Sequence, residues 1–190
     1  VDDLASESGG TIDVLDASGR ILCRSNPFDV VERGPRHYWG DLHGQSDETL
    51  GTNSASEYFR FGRDRAFLDV MGHQANDFQI TDAFWRDLNR LTNELDRPGH
   101  FVCLPGYEWS ANTAVGGDRN VFFRREGETI HRSSRAQVHG GDDLHDGAED
   151  AFTARALFEK LNRTDCIVIA HVGGRYADIR LAHDPVLETA

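Results

Sequence analysis

The chain has 190 residues, with 20 basic and 32 acidic side chains and a formal net charge of −12. This length allows one well-cored domain, or one domain and a fragment of another. The average field of such a surface repels a nucleic-acid backbone, so nucleic acid is not expected as a partner. The longest apolar runs, such as Cys166 to Ala170, fall far short of the roughly 20 residues that a membrane helix needs. No membrane contact is therefore expected, and the compartment stays open because the chain starts at Val1 without a visible signal peptide.

The first 36 residues predict a short β-rich region. Thr11 to Asp16 and Ile21 to Arg24 alternate apolar and polar side chains, and the residues between them include Gly19. This pattern is typical of a β-hairpin. We interpret residues 1–36 as the tail of a preceding β-rich domain.

From residue 37 the pattern changes to strands that alternate with helices. Helix starts are predicted near Ser54, Thr81 and Thr153. Strands are predicted up to His43 and over Phe67–Met71, Phe101–Leu104 and Cys166–Ala170, with a possible further strand over Val121–Arg124. Such alternation favours a parallel α/β sheet or barrel. The polar stretch 126–150, which contains His131, His139 and His145, is predicted to be a solvated insertion or lid.

Four potential metal ligands each follow a short apolar run: His43, His73, Glu108 and His171. Side chains at the carboxyl ends of parallel strands gather at one edge of the sheet. A catalytic divalent cation needs several nitrogen or oxygen ligands and one position left for water. The series therefore predicts a metal site, although a hydrogen-bonded structural role is the alternative for each residue taken alone.

Further polar residues lie near these four. Gln45 shares the face of His43 if the backbone stays extended, so its amide oxygen is a weak candidate ligand. Arg175, four residues after His171, is a candidate clamp for an anionic group, and Arg119 is a second candidate. The alternative for each arginine is an ordinary surface ion pair.

Four stretches together resemble a known family: HYWGDLHGQSDETLGT, DRAFLDVMGHQANDFQITDAFW, FVCLPGYEWSANTAVGGDRNVFFR and IVIAHVGGRYADI. They are similar to the PHP (polymerase and histidinol phosphatase) superfamily, and more closely to a bacterial branch of it classed as a domain of unknown function, with WGDLHGQS as its signature. The resemblance covers about residues 36–184.

The resemblance implies a distorted seven-stranded β/α barrel with up to three metal ions and hydrolysis of phosphoesters by a metal-bridged hydroxide. The metal ligands that it implies are His43, Gln45, His73, Glu108, Asn120 and His171. Glu108 is the bridging carboxylate in this comparison. Asn120 stands near the place of a further histidine, and Gln45 stands where the second histidine of a His-x-His motif is usual.

Two departures from the superfamily bear on completeness. Gln45 replaces a strong imidazole ligand with an amide, and the closing Asp-x-His motif is not found by Ala190. We therefore predict an α/β fold in which residues 37–190 form the N-terminal part of a PHP-like barrel, preceded by the hairpin region.

The predicted function is that of a metal-dependent hydrolase, phosphoesterase-like, which acts on a small anionic molecule with Mn, Zn or Fe. Glu108, His171 and Arg175 are the expected catalytic residues. Two alternatives remain open at this point. One is a hydrolase of the same architecture for a non-phosphate ester or amide bond, because the metals do not fix the bond type. The other is a degenerate barrel that binds metal or ligand without turnover.

Overall fold

The computed structural model describes residues 10–28, 37–111, 117–135, 138 and 147–171. Its contacts divide the chain into two compact units, Val1–His37 and Tyr38–Ala190. Among the described residues no helix combines the length and apolar character needed to cross a bilayer.

The first unit contains the predicted β-hairpin, which is confirmed. Strands β1 (Asp13–Leu15) and β2 (Ile21–Arg24) pair antiparallel. In the turn, the carboxylate of Asp16 accepts hydrogen bonds from the backbone of Ser18 and Arg20, which closes the loop. Gly19 adopts a φ of 83°, a left-handed conformation that glycine tolerates without a steric penalty.

The second unit begins with three parallel strands. Strands β3 (Gly40–Gly44), β4 (Val70–His73) and β5 (Val102–Leu104) form a sheet in that order. Helix α1 (Ala55–Asp64) connects β3 to β4, and helix α2 (Asp82–Leu95) connects β4 to β5. This half of the predicted strand–helix alternation is confirmed. The residue before β3, Trp39, is 70% exposed.

Both helices begin where the sequence predicts. The side chain of Ser54 accepts from the backbone of Glu57, whose carboxylate accepts from the backbone N–H of Ser54 in return. The hydroxyl of Thr81 caps α2 by accepting from the backbone of Phe84. Each cap satisfies N–H groups that have no partner inside the helix.

The strands after Pro105 form a second, antiparallel sheet. Strands β6 (Gly106–Trp109), β7 (Arg119–Phe123) and β8 (Cys166–Ala170) lie in that order, and both pairs are antiparallel. Helix α3 (Ala154–Leu161) precedes β8 and starts at the predicted Thr153 cap. Register places Asn120 directly opposite both Glu108 and Ile169.

The predicted partial PHP-like β/α barrel is wrong. A parallel connection needs a crossover of about a dozen residues, but only Pro105 separates β5 from β6. The described residues of the second unit therefore form one parallel and one antiparallel sheet, and they close no barrel. Glu108 and His171 belong to the antiparallel sheet, so the predicted common edge of one parallel sheet is also wrong.

The two sheets of this unit contact each other at Gly72. A side chain at Gly72 of β4 would lie 2.9 Å from the ring of Phe122, so the glycine lets this ring reach the parallel sheet. The core shared by both sheets and the helices includes Phe59, Leu88, Tyr107, Trp109, Phe123 and Leu157.

The predicted solvated insertion fits residues 126, 127 and 129, which are exposed, but it is wrong for the three residues that follow. Ile130, His131 and Arg132 are buried. The guanidinium of Arg132 donates to the carbonyl of Ile80 and to Asp82. His139 and His145 lie outside the described residues.

Candidate metal centre

Three of the predicted ligands converge on one point. His43, Glu108 and His171 each offer one ligand atom, and these atoms all lie within 4.8 Å of one another. The Nε2 atom of His43 is 3.6 Å from Oε2 of Glu108, and Nδ1 of His171 is 3.3 Å from Oε1 of Glu108. The two imidazole rings are tilted by 40° to each other, with centroids 4.4 Å apart.

Each of the three residues lies in, or directly after, a different strand. His43 lies near the end of β3, Glu108 lies inside β6, and His171 follows β8 directly. The backbone N–H of His171 donates to the carbonyl of Asp118 at 3.0 Å, which extends the pairing of β7 with β8 by one residue. The cluster therefore joins the parallel sheet to the antiparallel sheet.

The spacing of these atoms fits a divalent cation. Two ligands about 2.1 Å from a tetrahedral ion lie about 3.4 Å from each other, close to the two distances from Glu108 to the histidines. The Glu108 carboxylate presents a different oxygen to each imidazole. It can therefore serve one ion with both oxygens or two ions with one oxygen each.

The ring nitrogen of His171 supports this fit. Nδ1 is buried and, although it is 3.3 Å from Glu108, makes no hydrogen bond of regular geometry with the described residues. A buried nitrogen left in this way is costly unless something binds it, and a cation would satisfy it.

The electrostatics of His43 favour its neutral form. Burial lowers the pKa of His43, and the neighbouring His171 lowers it further, while Asn120, Asp41 and Asp118 oppose this shift. A neutral imidazole keeps the lone pair that a metal needs. Asp118 lies beside the cluster, with Oδ2 at 4.0 Å from Nδ1 of His171.

His73 lies apart from this cluster, in an aromatic enclosure. Its ring is 5.9 Å from that of Tyr58 and 5.8 Å from that of Phe84, both edge-on. Nε2 is 2.7 Å from the hydroxyl of Ser46, and Nδ1 finds no hydrogen-bond partner among the described residues. Burial lowers the pKa of His73 to about 4, so the ring is neutral at physiological pH.

The amide of Gln45 is hydrogen-bonded to residues outside the cluster. Its Nε2 donates to the carbonyl of Gln74 at 2.8 Å and to Oδ1 of Asn76 at 3.1 Å. Its Oε1 accepts from the hydroxyl of Thr49 at 2.7 Å. The oxygen predicted as a weak ligand is therefore engaged in a hydrogen bond.

The remaining predicted residues differ in placement. Asn120 lies opposite Glu108 on β7, and its buried Oδ1 accepts no regular hydrogen bond from the part of the chain that is described. Arg119 is buried beside it and donates from Nη1 to the carbonyl of Asp118 at 3.0 Å. Arg175 lies outside the described residues.

Several polar residues around the cluster were not singled out as site residues from the sequence. Asp118 approaches His171, and Asn76 and Ser110 lie next to Glu108. The run of Gln74, Asn76 and Asp77 directly after a buried strand was the available signal, because buried polar side chains need specific partners.

The chain belongs to the family described as "Protein of unknown function (DUF3604)", which matches residues 37–172. It is also similar to an uncharacterised protein of Chlamydia pneumoniae, with 22% identity over 98 residues. That alignment covers 50% of this chain but 16% of the relative, so the chain spans a small part of the relative's length. Neither description names an activity, and the resemblance to the PHP superfamily stays a prediction.

Proposed function

We propose that this DUF3604 protein is a metal-dependent hydrolase, phosphoesterase-like, with His43, Glu108 and His171 as metal ligands. The observation that carries the proposal is the convergence of two imidazoles and one carboxylate from β3, β6 and the end of β8. Three protein ligands leave a coordination position for water, as catalytic sites require and closed structural sites do not.

The donor set suits Mn, Zn or Fe, because imidazole and carboxylate groups bind all three. When bound, such an ion supplies acidification of a water molecule and polarisation of a phosphoryl or carbonyl oxygen. Its identity and number are part of what elemental analysis would determine.

The other roles in the proposed reaction belong to residues of the chain itself. The Glu108 side chain is buried, so its carboxylate is shielded from solvent, whereas 38% of the His43 side chain is exposed and opens the cluster to solvent. The lowered pKa of His43 favours the neutral imidazole, which has one nitrogen lone pair free to bind a metal. The carboxylate of Asp118, beside His171, is a position where a proton can be held during turnover.

The proposed substrate is a small molecule with an anionic group. This part of the proposal rests on Arg175, which follows His171 after two glycines in the sequence. Guanidinium groups bind phosphate and carboxylate oxygens with two parallel hydrogen bonds. The formal charge of −12 argues against a polyanionic partner such as nucleic acid.

Metal chemistry of this kind does not select the bond, so hydrolysis of a carboxylic ester or an amide is the first alternative. Metal binding without turnover is the second alternative. The engaged amide of Gln45 favours the second alternative, because it removes one predicted ligand.

The test is elemental analysis of the purified full-length protein, followed by assays on chromogenic phosphomonoesters, phosphodiesters and carboxylic esters. We expect stoichiometric metal and activity that is lost in a chelator and restored by Mn, Zn or Fe. Activity that is unchanged after complete metal removal would contradict the proposal. Metal without activity on any substrate class would favour the binding alternative.

Substitution of the ligands sharpens this test. His43→Ala and Glu108→Ala should each lower kcat/KM by more than about 100-fold, since even residues that only support a ligand contribute about 10–100-fold. The control is His100→Ala, which changes an exposed histidine in the turn before β5. Equal activity in all three variants would place the chemistry elsewhere.

A further inference from the structure

We propose that Gln45 and Asn76 are positioning residues that set the distance between His43 and Glu108. They are the central members of a hydrogen-bonded series, here named the amide relay, that consists of Thr49, Gln45, Asn76 and Ser110. The inference rests on the proposed function, since it assigns these residues a role in the same metal site.

The relay starts in the loop after His43. The hydroxyl of Thr49 donates to Oε1 of Gln45 at 2.7 Å, and Nε2 of Gln45 donates to Oδ1 of Asn76 at 3.1 Å. The same Nε2 also donates to the carbonyl of Gln74 at 2.8 Å. Gln45 therefore joins the loop that follows β3 to the segment that follows β4.

The relay continues to the backbone of Glu108. Nδ2 of Asn76 donates to the hydroxyl of Ser110 at 2.7 Å, and that hydroxyl donates to the carbonyl of Glu108 at 3.2 Å. Asn76 and Glu108 also form a parallel β-bridge. The relay thus ends on the residue that is shared between the two imidazoles.

All four side-chain links run in one direction, from donor to acceptor, between Thr49 and Glu108. Bonds that follow one another in this sense polarise each other and strengthen the series. Asn76 is only 5% exposed, so water cannot readily replace a missing partner. Loss of one member therefore leaves a buried polar group unsatisfied, and the neighbours must shift.

The relay explains why Gln45 stands two residues after His43. The amide holds the loop while the imidazole reaches Glu108, with Nε2 at 3.6 Å from Oε2. To act as a metal ligand itself, Gln45 would have to turn and break its bonds to Thr49, Gln74 and Asn76. Positioning and coordination by Gln45 therefore exclude each other and predict opposite results.

The test compares Mn²⁺ affinity, measured on the full-length protein by titration with electron paramagnetic resonance of the free ion. Asn76→Ala should weaken Mn²⁺ binding by about 10–100-fold, as for other groups that orient a metal ligand. The matched control is Asn89→Ala, a buried asparagine of α2 that donates to the carbonyl of Trp85. Asn89→Ala should lower the melting temperature of the metal-free protein about as much as Asn76→Ala does. It should change Mn²⁺ affinity less than about twofold, because Asn89 contacts none of the proposed metal ligands.

Gln45→His separates positioning from coordination. If Gln45 positions the loop, the imidazole introduced at position 45 breaks the relay, and Mn²⁺ binds more weakly. Thr49→Val, which removes the first donor of the relay, should weaken Mn²⁺ binding to a smaller degree. Tighter binding by Gln45→His would overturn the inference, as would wild-type affinity in Asn76→Ala. If Asn76→Ala does not fold, Thr49→Val carries the same decision. Failure of the wild-type protein to bind Mn²⁺, Zn²⁺ or Fe²⁺ would instead overturn the proposed function, and the positioning role with it.

Discussion

His73 and Asp77 are two buried ionisable residues, four positions apart, whose pKa values shift in ways that make stability depend on pH in opposite senses. Burial lowers the pKa of His73 from 6.5 to about 4. Burial raises the pKa of Asp77 from 3.8 to about 7, although its carboxylate accepts hydrogen bonds from the backbone and hydroxyl of Ser133. Each residue is uncharged in the folded protein over the pH range between its two values.

The sign of each contribution follows from proton binding. Below pH 6.5 the unfolded chain protonates His73 and the folded chain does not, so the free energy of unfolding falls as the pH drops to about 4, by about 3 kcal/mol in total. Between pH 3.8 and about 7 the folded chain keeps a proton on Asp77 that the unfolded chain loses, so the free energy of unfolding falls as the pH rises. The two slopes oppose each other over most of this range.

We therefore predict that each single substitution removes one of the two pH dependences of the free energy of unfolding and leaves the other. Relative to wild type, the free energy of unfolding of Asp77→Asn should rise more steeply with pH from 4 to 6.5, by up to about 1.4 kcal/mol per pH unit. His73→Gln should change the slope in the opposite sense. Urea denaturation at several pH values in a chelator measures both slopes, and parallel curves for all three proteins would contradict the prediction.

For single residues, the sequence predicted the convergence of His43, Glu108 and His171 better than the contacts of the residues around them. His43, Glu108 and His171 could be singled out because each stands at or beside an apolar strand, where a buried polar side chain needs a specific partner. The direction of Gln45 could not be predicted, because it depends on Asn76 and Thr49, which meet it only after folding. The aromatic enclosure of His73 likewise depends on rings from α1 and α2.

Among the described glycines, Gly106 of β6 comes closest to the backbone of another residue, on the neighbouring strand β7. A side chain at Gly106 would collide with the carbonyl oxygen of Val121 on the neighbouring strand and lie 2.6 Å from Nε2 of Gln74. The carbonyl cannot move far without breaking the pairing of Gly106 with Phe122.

Gly106→Ala should therefore lower the free energy of unfolding by about 3 kcal/mol or more, at the upper end of what overpacked cores lose. Gly99→Ala is the comparison, because Gly99 has a φ of 82° and no described atom within 4 Å of the added carbon. Its loss should be about 1 kcal/mol, from the left-handed backbone alone. Chemical denaturation measures both, and equal losses would show that the sheet accommodates the added carbon.

The helix starts and the parallel direction of β3, β4 and β5 could be predicted from the sequence, but the separate strand β6 and the antiparallel pairing of β6, β7 and β8 could not. Ser54, Thr81 and Thr153 are local signals, since a cap acts on residues two or three positions ahead. The antiparallel direction of β6 is set by pairing with β7, at least ten residues later in the chain. The signal that could have been used is Pro105, which leaves no room for the helix that a parallel crossover needs.

In the second unit as a whole, the candidate metal centre joins the two sheets. His43 belongs to the parallel sheet, whereas Glu108 and the end of β8 belong to the antiparallel sheet. An ion held by all three therefore adds a restraint between two sheets that otherwise meet through packing, the bridge between Asn76 and Glu108 and the amide relay. A ligand that binds only the folded state stabilises it by about 2.7 kcal/mol when its concentration is 100 times the Kd.

Saturating Mn²⁺ or Zn²⁺ should therefore raise the melting temperature by about 2–4 °C for each kcal/mol of stabilisation. Differential scanning calorimetry with and without a chelator measures this shift. His171→Ala should remove it, and His100→Ala should keep it. An equal shift in both variants would mean that the ion stabilises the protein from another place.

The exposure of Trp39 gives this region its own optical signal. Trp39 is 70% exposed, whereas Trp85 is 8% and Trp109 is 0% exposed, and these are the three tryptophans of the chain. Acrylamide in solution therefore quenches the red-shifted emission of Trp39 while the two indoles in the core keep a blue-shifted emission. Trp39 stands four residues before His43, or about 13 Å along an extended strand. The emission that acrylamide quenches therefore reports on the start of β3, and the emission that remains reports on unfolding of the core.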